Sequence, residues 1–225
     1  MRSLFCYMRF IHTVCCLLVL SSSLAQQRMT KSFQAKATDI EIKVEGLDFL
    51  ILETAPSQQV VLHIEDRDGL GVQNSFECNA YVCAIGIKSE LRVAHPLTNK
   101  INQFTQKPPS NVSARIQIPA GKNVAIFGTI VDISSNNYQG NLGVIIEQGK
   151  LQLNRLMGKA RIAVSTGSVY AKITDNSLDI RTGKGRLVLD EKPIEQGVLN
   201  RQKNPEKLLT IRTQNANIIL STQTQ

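Results

Sequence analysis

The chain has 225 residues, 42% hydrophobic and 5% aromatic, with no Trp and a formal charge of +8. This length supports one good core, and the charges are scattered without a long run of one sign. Scattered charge with few interleaved aromatics argues against a nucleic-acid surface and leaves an acidic partner open.

The N-terminus carries Arg2 and Arg9, then the apolar run Val14–Leu20, then Ser23-Leu-Ala25. A positive start, a short apolar centre and small residues before the cut predict a secretory signal peptide over residues 1–25. The apolar run is too short to span a bilayer. Cys15 and Cys16 lie inside that run, without the spacing of a lipoprotein signal. Loss of Arg2 and Arg9 takes the charge from +8 to +6. Residues 26–38 are polar and mixed and read as a flexible leader. The expectation is an exported protein, periplasmic or at the cell surface, with no transmembrane segment in the mature chain.

From Asp39 the pattern changes. Ile40-Glu-Ile42-Lys-Val44 alternates apolar and polar, the mark of a half-buried strand. Leu47–Glu53, Val60–Ile64, Phe76–Ile87 and Leu91–Val93 read the same way, as irregular first coils over residues 39–95. Glu65-Asp-Arg-Asp-Gly69 signals a turn. Asp66 and Asp68 resemble the start of a calcium loop, but Asn74 and Glu77 do not complete the required spacing. His63 falls in a strand and His95 precedes Pro96, with no helical zinc motif, so no metal or cofactor is expected. Cys78 and Cys83 remain after cleavage, and export permits a disulfide between them. Five residues apart, they can pair only if residues 79–82 turn; the alternative is two buried free thiols. Residues 95–112 contain Pro96, Pro108 and Pro109 and read as a loop, because proline cannot donate to a β ladder. Asn111-Val-Ser113 fits a glycosylation sequon, which matters only in a eukaryotic secretory pathway.

Residues 113–225 repeat one frame. Ile162-Ala-Val164 is followed three residues later by Gly167, then by Val169, Ala171 and Ile173. Copies of this frame place corners at Gly121, Asn136, Gly149, Gly167, Gly183 and, more weakly, Gln214. The successive gaps are 15, 13, 18, 16 and 31 residues. Glycine, and less readily asparagine, carries a backbone through φ > 0. Residues 191–207, polar with Pro193 and Pro205, read as a loop insertion in the last gap. A copy this short cannot bury its own apolar face, so copies must stack. The predicted fold is therefore all-β, a single right-handed parallel β-helix (β-solenoid) over residues 39–225 with repeats of 13–18 residues. Ordinary hairpins in a β-sandwich are the alternative.

Chemistry-bearing residues do not converge in this frame. Asp132, Glu147, Asp175, Asp179 and Asp190 point outward from different places in it, unlike the paired carboxylates of a polysaccharide-cleaving site. Thr182-Gly-Lys-Gly185 lacks the earlier glycine and following helix of a phosphate loop. There is no Gly-x-Ser-x-Gly elbow for a nucleophilic serine. Thr166, Thr182 and Thr213, with Ser135, each precede a corner, and stacking would align them as a hydroxyl strip.

Three segments carry a resemblance: Ile40-Glu-Ile-Lys-Val-Glu-Gly46, Ala163-Val-Ser-Thr-Gly-Ser-Val169 and Asp179-Ile-Arg-Thr-Gly-Lys-Gly185. They resemble exported bacterial adhesin-like β-strand-repeat proteins of the auto-transporter adhesin, head GIN domain type. The resemblance covers Asp39 onward and implies a right-handed β-helix in the cell envelope, with no catalytic residues to carry over. The stretch 191–207 departs from it. The expected function is non-catalytic binding or scaffolding of an envelope component, a glycan or a protein. The alternatives are a polysaccharide-acting β-helix enzyme and an envelope-stress sensor domain.

Overall fold

A computed structural model describes residues 27–67, 69, 71–89 and 112–223. The signal peptide 1–25, Asp68, Leu91–Val93, His95, the loop 95–112 up to Asn111, and with it the sequon asparagine, lie outside the described residues. The first strands are β1 (Gln27–Phe33), β2 (Asp39–Glu45), β3 (Phe49–Thr54), β4 (Val60–Asp66), β5 (Val72–Cys78) and β6 (Val82–Ser89). The next are β7 (Val112–Ile118), β8 (Asn123–Ile130), β9 (Asp132–Asn136), β10 (Asn141–Leu153) and β11 (Ala160–Ile173). The chain ends with β12 (Ser177–Thr182), β13 (Leu187–Leu189), β14 (Lys192–Ile194), β15 (Val198–Arg201) and β16 (Leu208–Thr222). Two short 3-10 turns, at Glu195–Gly197 and Pro205–Lys207, are the only helical elements among the described residues. The fold is all-β, as the alternation predicts. All sixteen strands join one mixed sheet, and its path does not close.

The three long strands organise the sheet, and their sequence shows how. In β10 the buried positions are Leu142, Val144 and Ile146, then Leu151 and Leu153. The inward phase switches from even to odd numbers across Glu147-Gln-Gly149, so the strand bends and presents the same side to the core twice. β11 does this around Thr166-Gly167, and β16 around Gln214-Asn215. Each half then finds its own neighbours. The first half of β10 pairs in parallel with β8, and the second half with β9. Two ladders result, joined along the bends.

Stacking places like residues in columns. Ile85, Ile42, Ile126, Val144, Ile162, Ile211 and Ile180 follow one another across the first ladder. In the second, Ile64, Ala114, Leu50, Ile133, Leu151, Val169, Ile218 and Leu187 do the same. All belong to one buried cluster. Burying one such aliphatic side chain contributes about 1.5–3 kcal/mol, against about 0–1 for an exposed ion pair, so the columns decide stability.

The offset between neighbouring copies is 18 residues: Leu142 pairs with Val124 on one side and Ala160 on the other, and Leu151 pairs with Ile133. The bend column accordingly runs Val131, Gly149, Gly167. A Cβ on Gly149 would lie 2.0 Å from the Val131 carbonyl oxygen, and one on Gly167 would lie 2.0 Å from that of Gly149. Both glycines also have positive φ, 153° and 134°. Gly121, with φ 79°, sits in the separate turn between β7 and β8, where its N–H donates to the Gln139 carbonyl. Asn136 lies in β9, and the left-handed residue is its successor Asn137, with φ 54°.

The later copies are shifted by two residues from the expected frame. Ile162 pairs with Ile211, and Gly167 with Ala216, so Gln214 lies before the bend position. Likewise the residue whose Cβ would strike the Ala216 carbonyl, at 1.8 Å, is Gly185, while Gly183 packs against Gln214. The cause is chemical. Thr213 and Thr182 occupy the last inward position that Ile146 and Val164 fill in earlier copies. Threonine has the shape of valine but reads as polar, and Thr182 is buried with its hydroxyl donating to the Ala216 carbonyl.

Two segments expected to lack regular structure are strands. Residues 27–33 of the expected leader form β1, paired antiparallel with β4. The expected loop 191–207 contains β14 and β15, antiparallel partners of β13 and β12. Both are polar edge strands, whose backbone pairing needs no apolar alternation.

Substituting Gly167 with Ala drives a methyl group into the stacked Gly149 backbone. The expected loss is about 2–4 kcal/mol, a Tm lower by roughly 5–15 °C in a calorimetric scan. An unchanged Tm would contradict this account of the bend.

Candidate functional site

With inward positions used by the core, function must reside on the outward faces, the turns or the strand edges. On the first ladder β2, β8, β10 and β11 are adjacent. Their outward residues form levels running across the strands. One level is Asp39, Asn123, Asn141 and Lys159. The Asn123 amide donates to Asp39 Oδ1 at 2.7 Å, the Asn141 amide to Asn123 Oδ1 at 2.9 Å, and the Lys159 N–H to Asn141 Oδ1 at 3.0 Å. The next level is Glu41, Ala125, Gly143 and Arg161, and the next Lys43, Phe127, Ile145 and Ala163. Because Ala125 and Gly143 are small, this surface holds an open depression of about 650 Å³. Ile145 beside it is 55% exposed.

The second ladder carries a depression of about 480 Å³ over β1, β4 and β7. His63 shares a 3.0 Å hydrogen bond with the Thr30 hydroxyl there. Arg28–Glu65 and Arg115–Glu53 ion pairs, each at 3.4 Å, flank it. Further along, Asn154 donates to Asn136 Oδ1, another amide ladder at the 18-residue offset. Neither amide ladder follows from the apolar frame, although the spacings 123/141 and 136/154 are visible in the sequence.

The outward carboxylates are dispersed and mostly engaged. Asp132 Oδ1 accepts from the Lys150 N–H at 2.8 Å. Asp179 pairs with Arg212, whose guanidinium also donates to the Asp179 carbonyl. Asp190 accepts from the Thr222 N–H and hydroxyl, which hold its carboxyl below the usual range. Asp175 accepts from Lys207 at 2.9 Å, and from the Asn204 amide and the Thr174 hydroxyl. Lys207 above all, then Asn204, holds the Asp175 carboxyl well below the ordinary carboxylate range. Glu147 is exposed in the β10 bend. The hydroxyl residues do not make one strip either: Thr213 pairs with Val164 and Thr182, Thr166 pairs with Asn215, and Ser135 is buried. Among the described residues, no group of three His, Cys, Asp or Glu is placed to hold a metal ion.

At one end of the sheet β5 and β6 form a hairpin closed by Cys78 and Cys83. Their Cα atoms are 4.0 Å apart and a disulfide joins them. The intervening residues do turn: Asn79 Oδ1 accepts from the N–H groups of Tyr81 and Val82, both at 2.8 Å. Phe33 of β1 stacks on Phe76 of β5, ring centroids 3.7 Å apart, which covers that end of the core.

No family model matches the sequence, and no curated protein matches it. Solved structures do. A candidate cell adhesion protein from Clostridium sporogenes superposes with a TM-score of 0.57 at 11% identity, over 88% of this chain and 100% of that one. A candidate adhesin from Bacteroides fragilis matches at 9% identity, over 88% and 98% of the two chains, with a TM-score of 0.30. One from Parabacteroides merdae matches at 10%, over 88% and 97%, with a TM-score of 0.29. The first of these establishes a shared fold. No helix among the described residues is long and apolar enough to cross a membrane.

Two measurements test this geometry. Alkylation of the purified protein without reduction should label neither Cys78 nor Cys83, and reduction should expose both to a gel shift; labelling before reduction would disprove the closed hairpin. The depressed Asp175 carboxyl stabilises the fold above about pH 4, and that contribution is lost as pH falls toward the lower folded-state value. Asp175→Asn should therefore be less stable than wild type at pH 5, with the gap narrowing toward pH 2 in urea titrations. A gap independent of pH would show that the carboxylate charge is not what Lys207 holds.

Proposed function

We propose that this chain is an exported, non-catalytic protein of the bacterial cell envelope, built as a parallel β-helix, which binds or scaffolds an envelope component. The observation that carries this reading is the fold shared with the full length of the candidate cell adhesion protein from Clostridium sporogenes. The 18-residue parallel stacking supports the β-helix element. The dispersal of the carboxylates supports a binding role, because Asp132, Asp175, Asp179 and Asp190 are each tied to separate structural partners. The signal-like N-terminus supports export.

Expression of the tagged full chain in a bacterial host tests the reading directly. The expected outcome is recovery outside the cytoplasm with an N-terminus at Gln26, and retention on isolated envelope material above a charge-matched control. Cytoplasmic recovery of the uncut chain would overturn the export element. Reproducible polysaccharide turnover, lost on substitution of one acidic residue, would favour the enzyme reading instead.

A further inference from the structure

The outward face of β2, β8, β10 and β11 is self-complementary, and we propose that it pairs with the same face of a second copy of this chain. The motive is an ordering of charge. At two successive levels the residues read acid, neutral, neutral, base: Asp39 to Lys159, and Glu41 to Arg161. Both acids lie on β2, while Arg161 is the second residue of β11 and Lys159 directly precedes that strand.

A two-fold axis parallel to the strands, between β8 and β10, reverses strand order while keeping each level in place. Face to face, Glu41 then meets the second copy's Arg161, and Asp39 its Lys159, each contact occurring twice. Phe127 meets Ile145 at the third level, and Lys43 meets the neutral Ala163. This is an isologous contact, in which one patch serves both partners.

Gly143 supplies a second observation. Glycine within a strand weakens it and marks close approach by a ligand or another backbone. Elsewhere among the described glycines, φ is positive or a Cβ would lie within 3.0 Å of a neighbouring atom, which at Gly86 is only the rotatable Ser75 hydroxyl. At Gly143 φ is not positive and a Cβ would meet its neighbours at an ordinary 3.7–3.8 Å. The fold does not require glycine there, but a second sheet lying on the depression would. The 55% exposure of Ile145 fits the same cover. Four strands span only about 20 Å, so the dimer is expected to be weak.

Sedimentation equilibrium of the purified protein over micromolar concentrations is the test. The expected result is a reversible monomer–dimer equilibrium that weakens as salt rises. Glu41→Arg and Arg161→Glu should each raise the dimer Kd about tenfold or more, by placing like charges opposite one another. Combining the two should bring the Kd back to near the wild-type value. Gly143→Val should keep the wild-type Tm but lose the dimer. A monomer throughout, or a dimer indifferent to both single reversals, overturns the proposal. So does failure of the double reversal to restore association when its circular dichroism is native. Polysaccharide binding that depends on Arg161 in a strictly monomeric protein would assign the face to a glycan instead.

Discussion

The spacing between stacked parallel strands governs this molecule. Neighbouring backbones lie about 4.8 Å apart wherever the ladder holds, so each residue is chosen against the residue above and below it. In the interior that produces columns of Ile, Leu and Val. At the bends it is more severe, because the backbone of one copy passes so close to the carbonyl of the next that Gly149 and Gly167 have no room for a side chain. The apolar columns supply the favourable energy, and the bend glycines let two ladders share one core.

This constraint explains which parts of the fold were legible in the sequence. Alternation followed by a glycine exposes a bend wherever all three inward positions are aliphatic, as in β10 and β11. It misleads where threonine takes an inward position, because Thr182 and Thr213 have the right shape with the wrong apparent polarity. The frame then moves by two residues, from Gly185 to Gly183 and from Ala216 to Gln214. Nor does sequence distinguish Asn136 from Asn137 as the left-handed residue, since both are asparagine. β1, β14 and β15 carry no alternation strong enough to announce themselves, being short or polar edge strands held mainly by backbone hydrogen bonds.

The amide ladders show the same physics on the outside. Asn123 over Asn141, and Asn136 over Asn154, bond side chain to side chain because stacking brings identical amides into register. Such ladders satisfy themselves and leave little polar capacity for a ligand. The outward carboxylates behave alike: Asp132 fastens the bend beside Gly149, and Asp175 fastens the chain returning through Lys207. Much of the surface polarity that looks chemically promising in the sequence is thus consumed in holding the stack together.

What remains is informative because the fold does not consume it. Glu41, Arg161 and Gly143 have no part in the core, and none makes a bend. Stacking nevertheless fixes their relation, since residues from strands 84 and 18 positions apart in register are aligned at one level. A stack of parallel strands therefore converts sequence spacing into a ruler across its surface. At the level of Glu41, Ala125, Gly143 and Arg161, the ordered run of acid, neutral, neutral and base costs the fold nothing to discard. Its placement around a glycine that packing does not require is where recognition, separate from folding, is written into this chain.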